Sequence, residues 1–309
     1  MIRFTLRRLF SLIPTIFLII SLAFIIVRSA PGGPFSSERN TTPEILENLK
    51  KKYHMDESMP RQYLRYVGGV LQGDLGPSFR YKDYTVNQLV RQALPTSMVL
   101  GSLALAVAAL LGIGVGILSA LKQNTWIDYT TMSLAVIGIS VPLFVIGPLL
   151  KLFLAIRHDW LPTSGWLGER NGWVVLIMPV TTLCLPSLAS IARLTRASVL
   201  DVLRADYIRT ARAKGLSETA VMLRHVLKGA LLPVVSYLGP TFALILTGTV
   251  VVETIFTIPG MGRFYVQAAF NRDYTLILGD VIVVSILMMV MNFFVDILYG
   301  FLDPRISYK

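Results

Sequence analysis

Apolar positions along this chain gather into six long runs separated by polar stretches, each run long enough to cross roughly 30 Å of hydrocarbon as an α-helix. The first, residues 9–27, follows Arg3, Arg7 and Arg8 and ends before Ser29-Ala30. Its apolar core is longer than the ~7–15 residues of a cleaved secretory signal, so the pattern predicts a retained first span. Five further spans are expected near residues 98–121, 129–156, 173–192, 231–252 and 276–301. Between the first two lies a polar segment opening on the helix-breaking Pro31-Gly32-Gly33-Pro34. Two short helices are predicted within it. One starts at Thr42 with Pro43 in the first helical position and sets Ile45, Leu46, Leu49 and Tyr53 on one face. The other opens on the capping box Thr85-Val86-Asn87-Gln88 and runs towards Pro95. Three regions follow from the pattern: 1–27, a tail and first span; 28–97, an outer segment with small amphipathic helices; and 98–309, a core of five spans containing a polar loop at 193–230.

Composition agrees with an all-α membrane protein. Hydrophobic residues make up 54% of the 309 positions and charged residues 15%, with mean hydropathy +0.62. A net charge of +11 raises the question of nucleic acid. The basic residues, however, sit between apolar runs, which makes the charge a record of topology rather than a phosphate-binding footprint; no nucleic-acid partner is expected. With six spans both termini share a side. Placing the N-terminus in the cytoplasm gives fourteen Lys or Arg in the short cytoplasmic pieces against four in the two short outer loops. The long outer segment carries ten Lys or Arg against seven Asp or Glu, but loops beyond about 60 residues largely escape this rule. Cytoplasmic termini are therefore predicted. Pro14, Pro142, Pro148, Pro179, Pro186, Pro233 and Pro240 fall in or beside spans, where each removes a backbone donor and tends to bend the helix.

Candidate chemistry is sparse. A loop of the form G-x-x-x-x-G-K-[ST] needs a Gly-Lys pair, and the sequence contains none, so ATP has no phosphate cradle here. Gly112-Ile113-Gly114-Val115-Gly116 lacks dinucleotide-loop spacing and reads as close helix packing. His54, His158 and His225 stand far apart, no G-x-S-x-G elbow occurs, and the single cysteine, Cys184, lies in an apolar run as a small buried residue. Neither a catalytic site nor a metal site is predicted. Lys151, Asp280 and Asp296 each fall about 12 Å from the middle of a span, which suggests anchors reaching the headgroups rather than a proton relay at the midplane. Asn292, one turn from Asp296, could join it in a polar contact with a neighbouring helix.

The most informative stretch is the loop at 193–230. Residues 201–214 have helical character with Gly215 as a left-handed cap, and Ser217 can cap a second helix over about 218–228. A helix, a glycine turn and a second helix make an ordered knob. Asp206-Tyr207-Ile208-Arg209-Thr210-Ala211-Arg212-Ala213-Lys214-Gly215-Leu216, followed by Arg224, His225 and Lys228, resembles the "EAA" cytoplasmic loop of membrane subunits of binding-protein-dependent ABC importers. Arg209, Thr210 and Ala211 occupy the Glu-Ala-Ala places and Gly215 the glycine; Ala211, Gly215 and Leu227 match the general form. The phrase Arg-Thr-Ala-Arg-Ala-Lys-Gly-Leu is characteristic of the peptide-importing branch. Gly73-Asp74-Leu75-Gly76-Pro77-Ser78, Val252-Glu253-Thr254-Ile255-Phe256, Pro259-Gly260-Met261-Gly262, Asn271-Arg272-Asp273-Tyr274 and Asp303-Pro304-Arg305 extend the likeness to the dipeptide/oligopeptide permease family over the whole chain.

That resemblance implies the type I ABC-importer transmembrane fold in the bacterial inner membrane, a second homologous permease subunit, two ABC ATPase subunits holding ATP and Mg, and a periplasmic peptide-binding protein delivering peptide. It also implies that 193–230 couples the permease to the ATPases. The expected contact residues are Arg204, Asp206, Tyr207, Arg209, Thr210, Ala211, Arg212, Ala213, Lys214, Gly215 and Leu216, while the residues lining the substrate pathway stay unassigned. Oligopeptide is the expected cargo; dipeptide, nickel, glutathione or haem cargo, or an ion-coupled carrier working alone, stay open on the sequence alone.

Overall fold

The computed structural model describes residues 2–30, 43–81, 83–168 and 172–302, and for 2–9, 43, 46, 247, 248, 296 and 298–302 the backbone alone. The sequence features at Pro31–Pro34, Thr42 and Asp303–Arg305 lie outside those residues. Helices α1 (Ile2–Ser29), α2 (Pro43–Lys52), α3 (Met59–Leu71), α4 (Val86–Leu121), α5 (Trp126–Ser140) and α6 (Leu143–Leu150) come first. Next are α7 (Ile177–Leu203), α8 (Asp206–Ala213), α9 (Glu218–Val221), α10 (Leu227–Ile255), α11 (Gly262–Asn271) and α12 (Tyr274–Leu302). Among the described residues the only bridge between extended segments joins Pro77 and Thr85.

Among the described residues five helical stretches are long and apolar enough to cross a membrane: Phe10–Ser29, Val86–Leu121, Gly172–Leu203, Glu218–Leu246 and Tyr274–Val295. The third expected span, 129–156, is not one rod. It divides into α5 and α6, bent by 105° at a short break, and α6 continues as a wide π turn over Lys151–Arg157. The cause is local: Pro142 cannot continue a helix and forces Val141 into an extended conformation (φ −87°, ψ 122°).

The capping box forms as expected, with Gln88 N–H donating to Thr85 Oγ1 and Thr85 N–H to Gln88 Oε1. Its helix is not a separate surface piece, however. It runs unbroken through Pro95 into the second span as the 36-residue α4, so the boundary drawn at residue 97 falls inside one helix. Two helices that the apolar pattern left unassigned are present. α3 is entered through Ser58 with Pro60 in its first turn, and α11 sits between the fifth and sixth spans.

α4 and α7 form the tightest pair, packed around Leu100, Ala104, Ala108, Met178 and Ile191. Gly112 and Gly116, one turn apart on α4, permit this approach. A Cβ on Gly116 would lie 2.6 Å from the Ala192 carbonyl oxygen and 2.6 Å from Thr195 Cβ, and one on Gly112 would lie 2.8 Å from the Leu188 oxygen. Gly114, on another face, has nothing within 4 Å. Substitution Gly116→Ala must therefore push the helices apart, and a loss of about 1–3 kcal/mol is expected, read as a lower unfolding midpoint in detergent. Gly114→Ala should be silent or slightly stabilising by helix propensity.

Buried acids tie the far end of the bundle together. Asp273, fully buried, accepts from Ser78 Oγ at 2.5 Å and from the N–H groups of Phe79 and Arg80 at 3.1 and 3.2 Å. Two segments almost 200 positions apart are joined in this way, and the 28–97 region is fastened over the start of α12. Glu253 near the end of α10 accepts from Ser97 Oγ at 2.5 Å and from Gly262 N–H at 2.7 Å, while Met261 N–H donates to Ser97 at 2.8 Å. A Cβ on Gly260 would overlap the Glu253 carboxyl, which explains glycine at that turn.

Asp280 does not reach for headgroups. It is 1% exposed and lines a cavity of about 250 Å³ among α4, α10, α11 and α12, and neither carboxyl oxygen has a hydrogen-bond partner. Depth along the helix alone placed it at a lipid boundary, but Leu75 and Val86 pack on the neighbouring Gly279 and supply protein where lipid was assumed. Lys151 likewise turns inward, its Nζ donating to the Ile255 carbonyl at the C-terminus of α10 at 3.0 Å. Asn292 faces α10, with Oδ1 2.8 Å from where a Gly239 Cβ would stand. Cys184 is buried as expected.

Candidate docking helix and its platform

At the end of the bundle where α4 and α7 finish, the chain makes a sharp hairpin. α7 extends past the expected limit of its span to Leu203, and Arg204 and Ala205 turn the backbone. The 201–214 stretch is thus broken at 204–205 rather than forming one helix. α8, about 12 Å long, lies across the end of the bundle. Its residues Ile208 and Ala211, three apart and so on one face, are buried against Ala120, Val199, Val221, Val226 and Ala230. This apolar platform fixes the helix from below.

The opposite face is open. Arg204, Asp206, Tyr207, Arg209, Thr210, Arg212, Ala213, Lys214, Gly215 and Leu216 are all exposed. Of the residues selected from the sequence, Ala211 alone is buried, at 6% exposure, as part of the foot of the helix. Tyr207 is half exposed and leans towards α10, its hydroxyl 3.4 Å from where a Gly229 Cβ would lie.

The exit from α8 is a Schellman turn: Leu216 N–H donates to the Ala211 carbonyl (3.4 Å) and Gly215 N–H to that of Arg212 (2.9 Å), with Gly215 at φ +78°. Ser217 then caps the next helix, its Oγ accepting from Ala220 N–H at 3.3 Å. Across the turn Arg212 grips Glu218 with Nε–Oε1 and Nη2–Oε2 distances of 2.8 and 3.1 Å. That hydrogen bond raises the Arg212 pKa, so the guanidinium stays charged. The second arm does not stop near residue 228. α9 passes through the π turn Met222–Val226 directly into α10, making the hairpin continuous with a membrane span.

Beneath the platform a polar joint binds three helices. Asp128, 2% exposed at the start of α5, receives both Nε and Nη2 of Arg196 on α7 at 2.6 Å, the Asn124 N–H at 3.0 Å and a hydrogen bond from Ser119 Oγ on α4. Sequence reasoning missed this joint. Its signals were an Asp in the first turn of a helix after Thr125, and an Arg breaking the apolar run of α7.

A short, exposed, cationic helix seated on an apolar platform and joined through α7 and α10 to two spans is an arrangement that can receive a push. Comparison with known proteins identifies its setting. The family model described as "Binding-protein-dependent transport system inner membrane component" matches residues 112–308, hairpin included, and the N-terminal model of the same transport-system membrane components matches 1–101. The chain belongs to this family. It is a multi-pass protein of the bacterial inner membrane and a transport component. The oligopeptide transport system permease protein OppB of Escherichia coli K12 is 47% identical over 308 residues, covering 100% of both chains. The dipeptide transport system permease protein DppB of Bacillus subtilis 168 is 39% identical, covering 99% of this chain and 98% of its own. In fold, the chain is similar to a subunit of the inward-facing MetNI methionine ABC transporter. TM-score is 0.57 at 16% identity, over 70% of this chain and 97% of the other. The type I importer architecture expected from the sequence is therefore present.

Proposed function

We propose that this permease passes oligopeptides through the inner membrane on energy delivered by separate ATPase subunits, and that α8 is the element the ATPases move. Full-length identity of 47% to an oligopeptide permease is the observation that carries the cargo assignment. In this reading the chain pairs with a second, homologous permease subunit, two ATPases hold ATP and Mg, and a periplasmic binding protein supplies the peptide. The absence of a Gly-Lys pair supports placing nucleotide on the partners. The basic asymmetry supports placing both termini and the α8 hairpin in the cytoplasm, with α2, α3 and α11 at the periplasmic end.

Mechanically, Arg204, Arg209 and Lys214 would meet acidic rims on an ATPase groove while Ile208 and Ala211 hold the helix to the bundle. Closure of the ATPase pair would displace α8, and the segments packed on either side of it would tilt α7 and α10 as rigid bodies. Copurification with all four partners, and uptake of a labelled pentapeptide by the reconstituted assembly only when ATP is supplied, are expected. Uptake by the chain alone under a proton gradient would sink the proposal in favour of an ion-coupled carrier.

A further inference from the structure

Three polar atoms stand without a hydrogen-bond partner around one cavity of about 400 Å³, bounded by α1, α3 and the start of α12: Arg28 Nε, Gln62 Oε1 and Tyr66 Oη. Each is fixed by its neighbours. The Arg28 guanidinium rests 5.6 Å from the Phe24 ring centre and 5.5 Å from that of Tyr274, with no ion pair among the described residues. Gln62, 8% exposed, spends its Nε2 on the carbonyls of Glu57 (2.7 Å) and Met55 (3.4 Å), which leaves Oε1 as a bare acceptor. Burial raises the Tyr66 pKa, so its hydroxyl stays protonated and able to donate.

Unsatisfied buried groups are rare in folded proteins, and three around one cavity specify what would fill it. Arg28 and Tyr66 call for an anionic acceptor, and Gln62 calls for a donor on the same ligand. Lys52 and Arg65 bring positive charge to the wall, Arg65 already paired with Glu57, and Asp74, whose Oδ1 accepts from Gly76 N–H, contributes one carboxylate.

Depth identifies the source. Arg28 ends the apolar stretch Phe10–Ser29, about 30 Å of helix, which sets it at headgroup level. Within the two turns before it Leu22, Ile25 and Ile26 are at least half exposed on the same helix, a surface fit for acyl chains. Tyr53, Tyr66 and Tyr274 around the cavity belong to the kind of aromatic belt found at the membrane–water interface.

We propose that this cavity binds the phosphate of an anionic, hydroxyl-bearing phospholipid headgroup of the phosphatidylglycerol type. The phosphodiester accepts from Arg28 and Tyr66, and a glycerol hydroxyl donates to Gln62. α1 is thereby held against α3 and α12 through a lipid.

The test uses the full-length chain in its purified assembly, stripped of lipid and titrated with dioleoylphosphatidylglycerol or dioleoylphosphatidylcholine, bound lipid being counted by native mass spectrometry. Wild type should retain phosphatidylglycerol in preference to phosphatidylcholine. Arg28→Gln should weaken that retention about tenfold and Tyr66→Phe about threefold. Arg61→Gln, which removes an exposed charge from α3 outside the cavity, should change nothing. Equal retention by wild type and Arg28→Gln, or an equal loss in Arg61→Gln, would overturn the site. Displacement of the lipid by millimolar inorganic phosphate would assign the cavity to free phosphate and overturn the lipid source. Both readouts are independent of cargo, so the proposed transport function stands or falls separately.

Discussion

Gly215→Val is expected to reduce ATP-driven peptide uptake to background while the chain still inserts and pairs with its partner membrane subunit. The two halves of this outcome have separate physical causes. At φ +78° a β-branched residue is strained by about 1–2 kcal/mol, enough to undo the Schellman turn and change where α8 points. Apart from its chain neighbours, no atom lies within 4 Å of the position a Cβ would take, so the side chain starts into open space and the bundle has no reason to unfold. A loss of that size is small beside a total stability of about 5–15 kcal/mol, yet it is about a tenfold change in an equilibrium that depends on the orientation of α8. Gly215→Asn, which tolerates the left-handed region, should retain most uptake. Gly215→Asp has a similar backbone tolerance but adds an anion beside Arg212 and Lys214, and a loss of ATPase copurification confined to it would locate the effect in charge. Full uptake by the Val variant, measured with labelled peptide in proteoliposomes, would remove α8 from the energy path.

The glycine turn and the serine cap were legible because each depends on a single residue whose conformational preference is strong: φ above zero for Gly215, and an oxygen acceptor at the helix start for Ser217. Thr85 and Gln88 were legible for the same reason. Helix continuity was not. The periodicity of residues 218–228 and the apolar run from 231 onward look like two elements, and only packing of Val221, Val226 and Ala230 on one platform makes them a single rod. At Pro142 the opposite held. An apolar run concealed a break that the proline and its predecessor announced locally, since hydropathy reports the surroundings of a segment and not its straightness. Buried polar partners were the least accessible feature. Asp273 with Ser78, and Asp128 with Arg196, are pairs set by tertiary approach, so no spacing along the chain points from one member to the other. Asp280 was misplaced because its surroundings depend on a segment almost 200 positions earlier folding over it.

The joint beneath the platform should show the largest effect on stability. Arg196→Met leaves Asp128 buried at 2% exposure with only Ser119 and the Asn124 N–H to offset its charge, and a loss of about 3–5 kcal/mol is expected. Removing both charges is a different matter. In Asp128→Leu/Arg196→Met no desolvated ion remains, and the midpoint of unfolding in detergent should recover most of the way to wild type, the double-mutant cycle giving a coupling of the same order as the single loss. Uptake by that double variant separates two roles for the joint. Arg196 lies one turn before Val199, the buried residue that α7 contributes to the platform under α8, and Asp128 opens the first arm of the bent pair. If the joint carries displacement of α8 into α5, recovered stability should come with depressed uptake, because a greasy contact between Leu and Met holds the helices together without fixing their angle as a two-pronged ion pair does. Recovery of stability and uptake together would reduce the joint to a fastening and leave α7 and α10 as the only conduits from α8.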